Sequence, residues 1–353
     1  MEITKQPANI HTGFNPVTIS MTDGTATSET ISIEIDGNTY TKKREFFNEA
    51  CFFDLSKIIT SFFKNIITVS SLSSKILIDS NLFVDYTYTI SETTYNKTAL
   101  NAVVQIGESS DMTTKKNSFL TKFEKIYLYS GYERLLTAMT ADNGSFINID
   151  GSELTDSEHP ITNRIICIKC SGENWIGISN KYPSHYLETE SSEAITNELG
   201  DIITISDPES GYSENRMPIK STCIPLNPFY VRWINQQGGY DYWMFEYKQT
   251  KKETAKLTTY SKFIENQETA TETKVSIYCD STNQIICGSS GLNENEFSCL
   301  KKIKFSPKIE FYDKEKDTWF STTISDCSTE EDTYSSLQDI EVTFNLADEQ
   351  TQF

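Results

Sequence analysis

The sequence predicts a mostly β protein: β-sandwich or barrel domains with two short inserted helices, at about 54–64 and 293–302. Three observations predict it. Apolar and polar residues alternate over short windows, as at Ile31, Ile33 and Ile35, which is the period of a half-buried strand. Gly, Asn and Asp turn signals punctuate those windows, the pattern of sandwiches and barrels. The window 228–247, PFYVRWINQQGGYDYWMFEY, reads as two strands around a Gly238-Gly239 turn. Aromatic and β-branched side chains suit a pleated surface, and a Gly pair supplies the positive φ that a tight turn needs.

In chain order, residues 1–13 are polar, carry Pro7 and Gly13, and lack periodicity. They read as a flexible N-terminal arm. Residues 14–107 form an N-terminal β domain with one helix. There Val17, Ile19 and Met21 alternate with polar residues, and Asp23-Gly24 marks a turn. Ile31, Ile33 and Ile35 follow, and Asp36-Gly37 or Gly37-Asn38 turns the chain into Tyr40. Leu55, Ile58, Ile59, Phe62 and Phe63 then switch to helical spacing, with Asp54 as N-cap. Val84–Ile90 alternates again, and Ala99–Gly107 closes the domain.

Residues 108–217 form a β-rich middle or insertion region. After a polar loop at 108–119, short strands are expected around Ile126–Leu128, Phe146–Ile149, Arg164–Cys170 and Trp175–Ile178. Asn143-Gly144, Asp150-Gly151, Gly172 and Gly177 separate them. Residues 183–217 are acidic and Ser-rich, a long loop or edge hairpin whose few core candidates are Ile202, Ile203 and Ile205.

The C-terminal β domain, 218–353, holds the aromatic hairpin and the second helix. Lys248–Lys274, rich in Lys, Thr and Glu, reads as an exposed hairpin or linker outside the core. Val275–Cys279 is a strand. Asn293 and Glu296 have capping-box spacing, so a helix starts there and turns Phe297, Leu300 and Ile303 inward. Ser306-Pro307 ends it, and Ile309–Tyr312, Trp319–Ile324 and Ile340–Leu346 complete the strands before a polar tail.

The 353 residues carry 50 acidic against 31 basic side chains, a formal charge of −19. Gripping nucleic acid through its phosphates takes clustered Lys and Arg, so that class is disfavoured. Most of the excess reads as solvated surface; an acidic wall past which DNA slides is compatible with it. No run of about 18 apolar residues offers a membrane helix, and the N-terminus has no signal-peptide pattern. The eight cysteines are scattered through a long chain, which favours reduced, buried thiols made in a cytoplasm.

Chemistry leaves little trace. Cys167 and Cys170 have half of a zinc-site spacing. Strand alternation would put Ile166, Ile168 and Cys170 on one face and Cys167 on the other, so no metal is expected. His11, His159 and His185 are dispersed, and nucleophile-elbow and phosphate-loop glycine patterns are absent. Asp207 or Glu209 with Glu214 lies in a polar loop without the apolar surroundings that raise a general acid's pKa. No catalytic residue and no cofactor is expected. The hairpin aromatics remain. Tyr240, Tyr242 or Trp243 would suit stacking on a sugar. Arg232, Tyr240 and Trp243 are also the residue types of interface hot spots, and Phe62 and Phe63 join them as interface candidates.

Several islands carry a family likeness: Asn15-Pro16-Val17; Phe53-Asp54-Leu55-Ser56 running to Ser61-Phe62-Phe63; the motif RWINxxGGYDYWMF from Arg232 to Phe245; and Ser306-Pro307 followed by Trp319. In these the chain resembles a recurring group of proteins in tailed phages and prophages of Bacteroidetes bacteria. The resemblance implies a non-enzymatic virion protein near the tail end, like a distal-tail, tail-tip or adaptor ring subunit. Such proteins build β-rich rings, commonly hexameric. The implied partners are further copies of the chain and other tail or connector proteins. DNA would meet it only by passing through a lumen, and no membrane anchor is implied. The chain would be made in the host bacterial cytoplasm and end in the virion. From a different class, the alternative is a carbohydrate-binding or host-recognition module; a glycosidase would need two facing carboxylates that do not stand out.

Overall fold

The structure, a computed structural model, describes residues 1–64, 66–67, 76–78, 81–106, 108–140, 146–149, 152–154, 165–170, 173–179, 185–186, 204–205, 214–261, 263, 274–329 and 336–346. The expected turns at Asn143-Gly144, Asp150-Gly151 and Gly172, the core candidates Ile202 and Ile203, the acids Asp207 and Glu209, and the tail from 347 lie outside these residues. The protein is mostly β, as its alternation predicts, with two short α-helices at Ser56–Thr60 and Glu294–Leu300 among the described residues. It divides into two compact units. Met1–Lys64, Thr68–Thr222 and Gln237–Gly239 form the first; Asn65–Ile67, Cys223–Gln236 and Tyr240–Phe353 form the second.

The first unit contains two sandwiches. In one, the sheet Glu2–Lys5, Thr18–Thr22, Ala50–Asp54 faces the sheet Ile10–Thr12, Thr93–Leu100, Phe83–Ile90, Ser28–Ile35, Asn38–Glu45. Ile19, Met21, Cys51 and Phe53 from the first sheet share a core with Ile31, Ile33, Ile35, Tyr86, Tyr88 and Ile90 from the second. Every second residue points inward, so the apolar set of each strand lands on one face. Asp36 and Gly37 both have positive φ, and Ile35 pairs with Asn38, so the Asp-Gly pair makes the two-residue hairpin turn its chemistry favours. Ser91 and Glu92 make the corresponding turn between Ile90 and Thr93 with positive φ and no glycine.

The segment read as an arm is ordered. Glu2–Lys5 pairs with Thr18–Thr22, and Ile10–Thr12 runs parallel to Thr98–Leu100. Unpaired backbone at the two sheet edges recruits it, whatever its lack of apolar periodicity. The first helix is shorter than its spacing suggests. Residues 50–54 pair with 18–22, and that ladder fixes the backbone where the helical stripe would begin. Asp54 is the last residue of the strand; its carboxylate accepts from the Ser56 backbone N–H, while Leu55 occupies the cap position without a side-chain bond. Ile59 and Phe63 still reach the core.

The second sandwich sets Ser118–Phe119, Arg134–Met139, Ile165–Cys170 and Ile76–Ile78 against Ile126–Tyr129, Glu214–Thr222, Trp175–Ser179, Phe146–Ile149 and Ser152–Leu154. Ile166, Ile168 and Cys170 join its core, while the Cys167 thiol meets the Thr137 hydroxyl, so the two thiols diverge with the pleat. Arg134–Met139, buried along its whole length, escapes a search for alternation because it has no solvent face.

A seven-stranded antiparallel sheet dominates the second unit, in the order Tyr240–Phe245, Phe229–Ile234, Ile309–Asp313, Thr318–Thr329, Gln338–Asn345, Lys274–Leu292, Tyr247–Ser261. The helix Glu294–Leu300 is held by the expected capping box: Asn293 Oδ1 accepts from Glu296 N, and Glu296 Oε2 accepts from Asn293 N. Phe297, Leu300 and Ile303 are buried.

Candidate functional site

The hairpin expected to present a contact surface is interior on both faces. All residues of Phe229–Ile234 and Tyr240–Phe245 are buried. Directly paired residues of an antiparallel ladder project to the same side, and Val231 pairs with Trp243 while Arg232 pairs with Tyr242. Trp243 therefore lies on the face of Phe229, Val231 and Trp233. Arg232 and Tyr240 lie on the opposite one, so the three cannot make a single patch.

The first face meets rings from distant strands. Phe229 stacks on Phe311 at 5.5 Å, and Phe344 lies 5.3 Å from Phe229 and 5.5 Å from Phe245. Trp243 satisfies its buried indole by donating from Nε1 to Ser289 Oγ at 2.8 Å. On the second face Trp319 packs 5.6 Å from Tyr230 and 6.2 Å from Tyr242. Arg232 lays its guanidinium over the same indole at 4.1 Å. Its Nε and Nη2 both donate to Glu310 Oε2, at 2.9 and 2.7 Å. Arg232 is 2% exposed and Tyr240 likewise. These side chains are committed inside the chain, which corrects their assignment to a partner-facing surface.

Asn235 to Gly239 connect the two strands, since Ile234 pairs with Tyr240. Gly238 has φ +82°, and a Cβ on Gly239 would collide with the carbonyl oxygen of Leu120. Both glycines are thus required, one for its backbone angle and one for close approach. Phe62 is half-buried against the first sandwich core and meets Tyr40 edge-on at 5.9 Å. Phe63, buried, stacks on Phe14 at 5.5 Å. Neighbours in sequence, they serve two different packing contacts.

Burial shifts several of the described titratable groups. His11 is 2% exposed; Nδ1 bonds the Thr12 carbonyl, which makes it the protonated nitrogen, and Nε2 then accepts from the Tyr86 hydroxyl at 2.9 Å. Burial lowers its pKa, a hydrogen bond to Thr12 and the charge of Asp111 oppose that, and Lys97 reinforces it. Burial pushes the Tyr86 hydroxyl and the Cys287 thiol up, so neither is a nucleophile at neutral pH. Among the described residues, no three His, Cys, Asp or Glu side chains gather as metal ligands.

An exposed element stands out instead, in the segment read as an exposed hairpin or linker. Tyr247–Ser261 pairs with Lys274–Leu292 from Tyr247↔Gly288 to Ser261↔Lys274. The inner strand also pairs with Gln338–Asn345, but only as far as Gln284↔Asn345, with one more bond from Leu346 N to Asn283 O. Beyond that point residues 254–261 and 274–282 pair only with each other among the described residues. They form a two-stranded ribbon about 26 Å long at the usual rise per residue. Leu257 (58% exposed), Tyr260 (48%) and, just past the strand, Phe263 (90%) are open to solvent. Three isolated apolar residues in a Lys- and Thr-rich stretch were the only sequence signal of this surface.

No protein-family model matches the chain, and no curated protein matches it. A solved structure described as "Structural insight into host cell surface retention of a 1.5-MDa bacterial ice-binding adhesin" is similar over 81% of this chain and 90% of its own, at 10% identity and a TM-score of 0.15. A TM-score at that level carries no weight for fold or function.

Proposed function

We propose that this chain is a non-enzymatic structural subunit of a bacteriophage tail, a distal-tail, tail-tip or adaptor component that assembles with copies of itself into a ring. The observation that carries the assembly part is the ribbon. A two-stranded hairpin without a third strand is marginally stable in water, and among its described side chains this one holds Leu257, Tyr260 and Phe263 in solvent. Both features suit a segment that is completed by a neighbour. The virion part rests on the resemblance carried by Arg232 to Phe245 and the flanking islands. The fully buried hairpin suits a rigid scaffold, and the −19 charge suits a lumen that passes DNA without holding it.

Glycan stacking on the hairpin lacks a platform, because Trp243 is buried and bonded to Ser289. Light scattering after size exclusion, with negative-stain microscopy, tests the assembly. A discrete oligomer with ring-shaped particles is the expected result. A chain that stays monomeric alone and with tail or connector proteins sinks the proposal.

A further inference from the structure

We infer that the ribbon formed by residues 254–261 and 274–282, with its root at Lys251 and Lys252, is the element by which one copy of this chain grips another. This rests on the homo-oligomeric reading above and adds its contact surface, its partner and its mode. The outer strand is unpaired on its far side along its whole length among the described residues. Its side chains from Thr250 to Thr254 are exposed, and so are Lys256, Leu257, Thr259, Tyr260 and Ser261. Large apolar side chains held in water on a two-stranded element mark a surface awaiting a partner.

Charge decides the partner. From Thr250 to Ser261 the strand holds Lys251, Lys252 and Lys256 against Glu253, a net +2, in a chain whose total is −19. A cationic strand on a strongly anionic protein is attracted to another anionic protein, and a second copy is the one always present. Nucleic acid is a poorer occupant, because the rest of the chain repels phosphates.

Charge also decides the mode. Lysines along an open edge oppose the addition of another strand. Leu257 and Tyr260 are three apart on the outer strand and so project from opposite faces of the ribbon. The ribbon therefore docks by both faces, with these two and Phe263 as the apolar contacts and the lysines steering the approach. A docked ribbon of this kind is salt-sensitive, since its lysines are exposed.

The test uses the full chain in three forms: wild type, Leu257→Ser/Tyr260→Ser/Phe263→Ser, and Lys251→Glu/Lys252→Glu/Lys256→Glu. Each is examined by light scattering at about 50 mM and about 500 mM salt, with circular dichroism to confirm folding. The expected result is a wild-type oligomer that weakens with salt and a loss of association of at least about tenfold in each variant. A photo-crosslinker at Tyr260 provides a second readout that does not depend on the multiple variants folding. It should join residue 260 to a different copy, detected in a mixture of isotopically light and heavy chains. Oligomers that survive both variants, or crosslinks confined to one copy, overturn the ribbon as the contact and leave homo-oligomerisation standing. A wild type that is monomeric overturns both. Salt-sensitive retention of a DNA duplex by the monomer through the same lysines also overturns the assignment of the partner.

Discussion

Substituting Arg232 distinguishes a scaffold residue from an interface residue. Arg232→Met keeps a long apolar stem on Trp319 but removes the guanidinium that donates twice to Glu310 Oε2, at 2.9 and 2.7 Å. Glu310 then keeps Lys308, whose Nζ lies 3.6 Å from Oε1. Breaking a buried pair typically costs about 3–5 kcal/mol, because one charge is orphaned. The remaining lysine moves the expectation to the lower end, about 3 kcal/mol, with loss of the cation–π contact at 4.1 Å included. Replacing both partners, in Arg232→Met/Glu310→Met, leaves no orphan and should cost about 1 kcal/mol or less. The coupling energy between the sites is then about 2 kcal/mol or more. Urea unfolding followed by tryptophan fluorescence, applied to Arg232→Met, Glu310→Met and the double variant, measures the terms of this cycle. Light scattering on the same samples should show an unchanged association state. A single variant that costs under about 1 kcal/mol but dissociates an oligomer would falsify the interior assignment, as would a double variant as unstable as the two singles added.

Gly239→Ala must push its methyl into the Leu120 carbonyl, so a loss of about 3 kcal/mol is expected; an unchanged urea midpoint would show that the turn has slack. Asn293→Ala removes one half of the capping box and should cost about 1 kcal/mol, with Asn293→Asp restoring most of it. For His11, the folded-state pKa lies below the ordinary 6.5, so the unfolded chain binds the proton more tightly. The stability tied to neutral His11 is therefore complete above about pH 6.5 and lost as pH falls through and below that value. His11→Gln should flatten this part of the stability–pH curve relative to wild type, and parallel curves would count against the buried neutral imidazole.

Much of the fold is legible in the residues themselves. Ile19 and Met21, Ile31 to Ile35, and Tyr86 to Ile90 alternate because each strand has one wet and one dry face, and the structure buries that set. Asp36-Gly37 specifies its turn through positive φ, and Asn293 with Glu296 specifies its helix start through two reciprocal bonds. These are local effects, fixed within a few residues. The Ser91-Glu92 turn is different: neither residue favours positive φ, and the ladder between Phe83–Ile90 and Thr93–Leu100 imposes it.

The aromatic hairpin was recognised by composition, yet its role depends on distant chain. A pattern of period two tells which residues share a face but cannot tell whether a face is covered. Here Phe344 packs on one face, and on the other Arg232 is engaged by Glu310 and Trp319, which come from strands far along the chain. The ribbon illustrates the converse. Its strands follow from Thr, Tyr and Ile content, but its exposure follows from where Gln338–Asn345 stops pairing along the longer strand. Sequence alone thus determined the β class, the turns, the second helix cap and the glycines that the hairpin needs. Tertiary structure decided which aromatic residues are core and which meet solvent, because burial is a property of neighbours brought together across long stretches of chain.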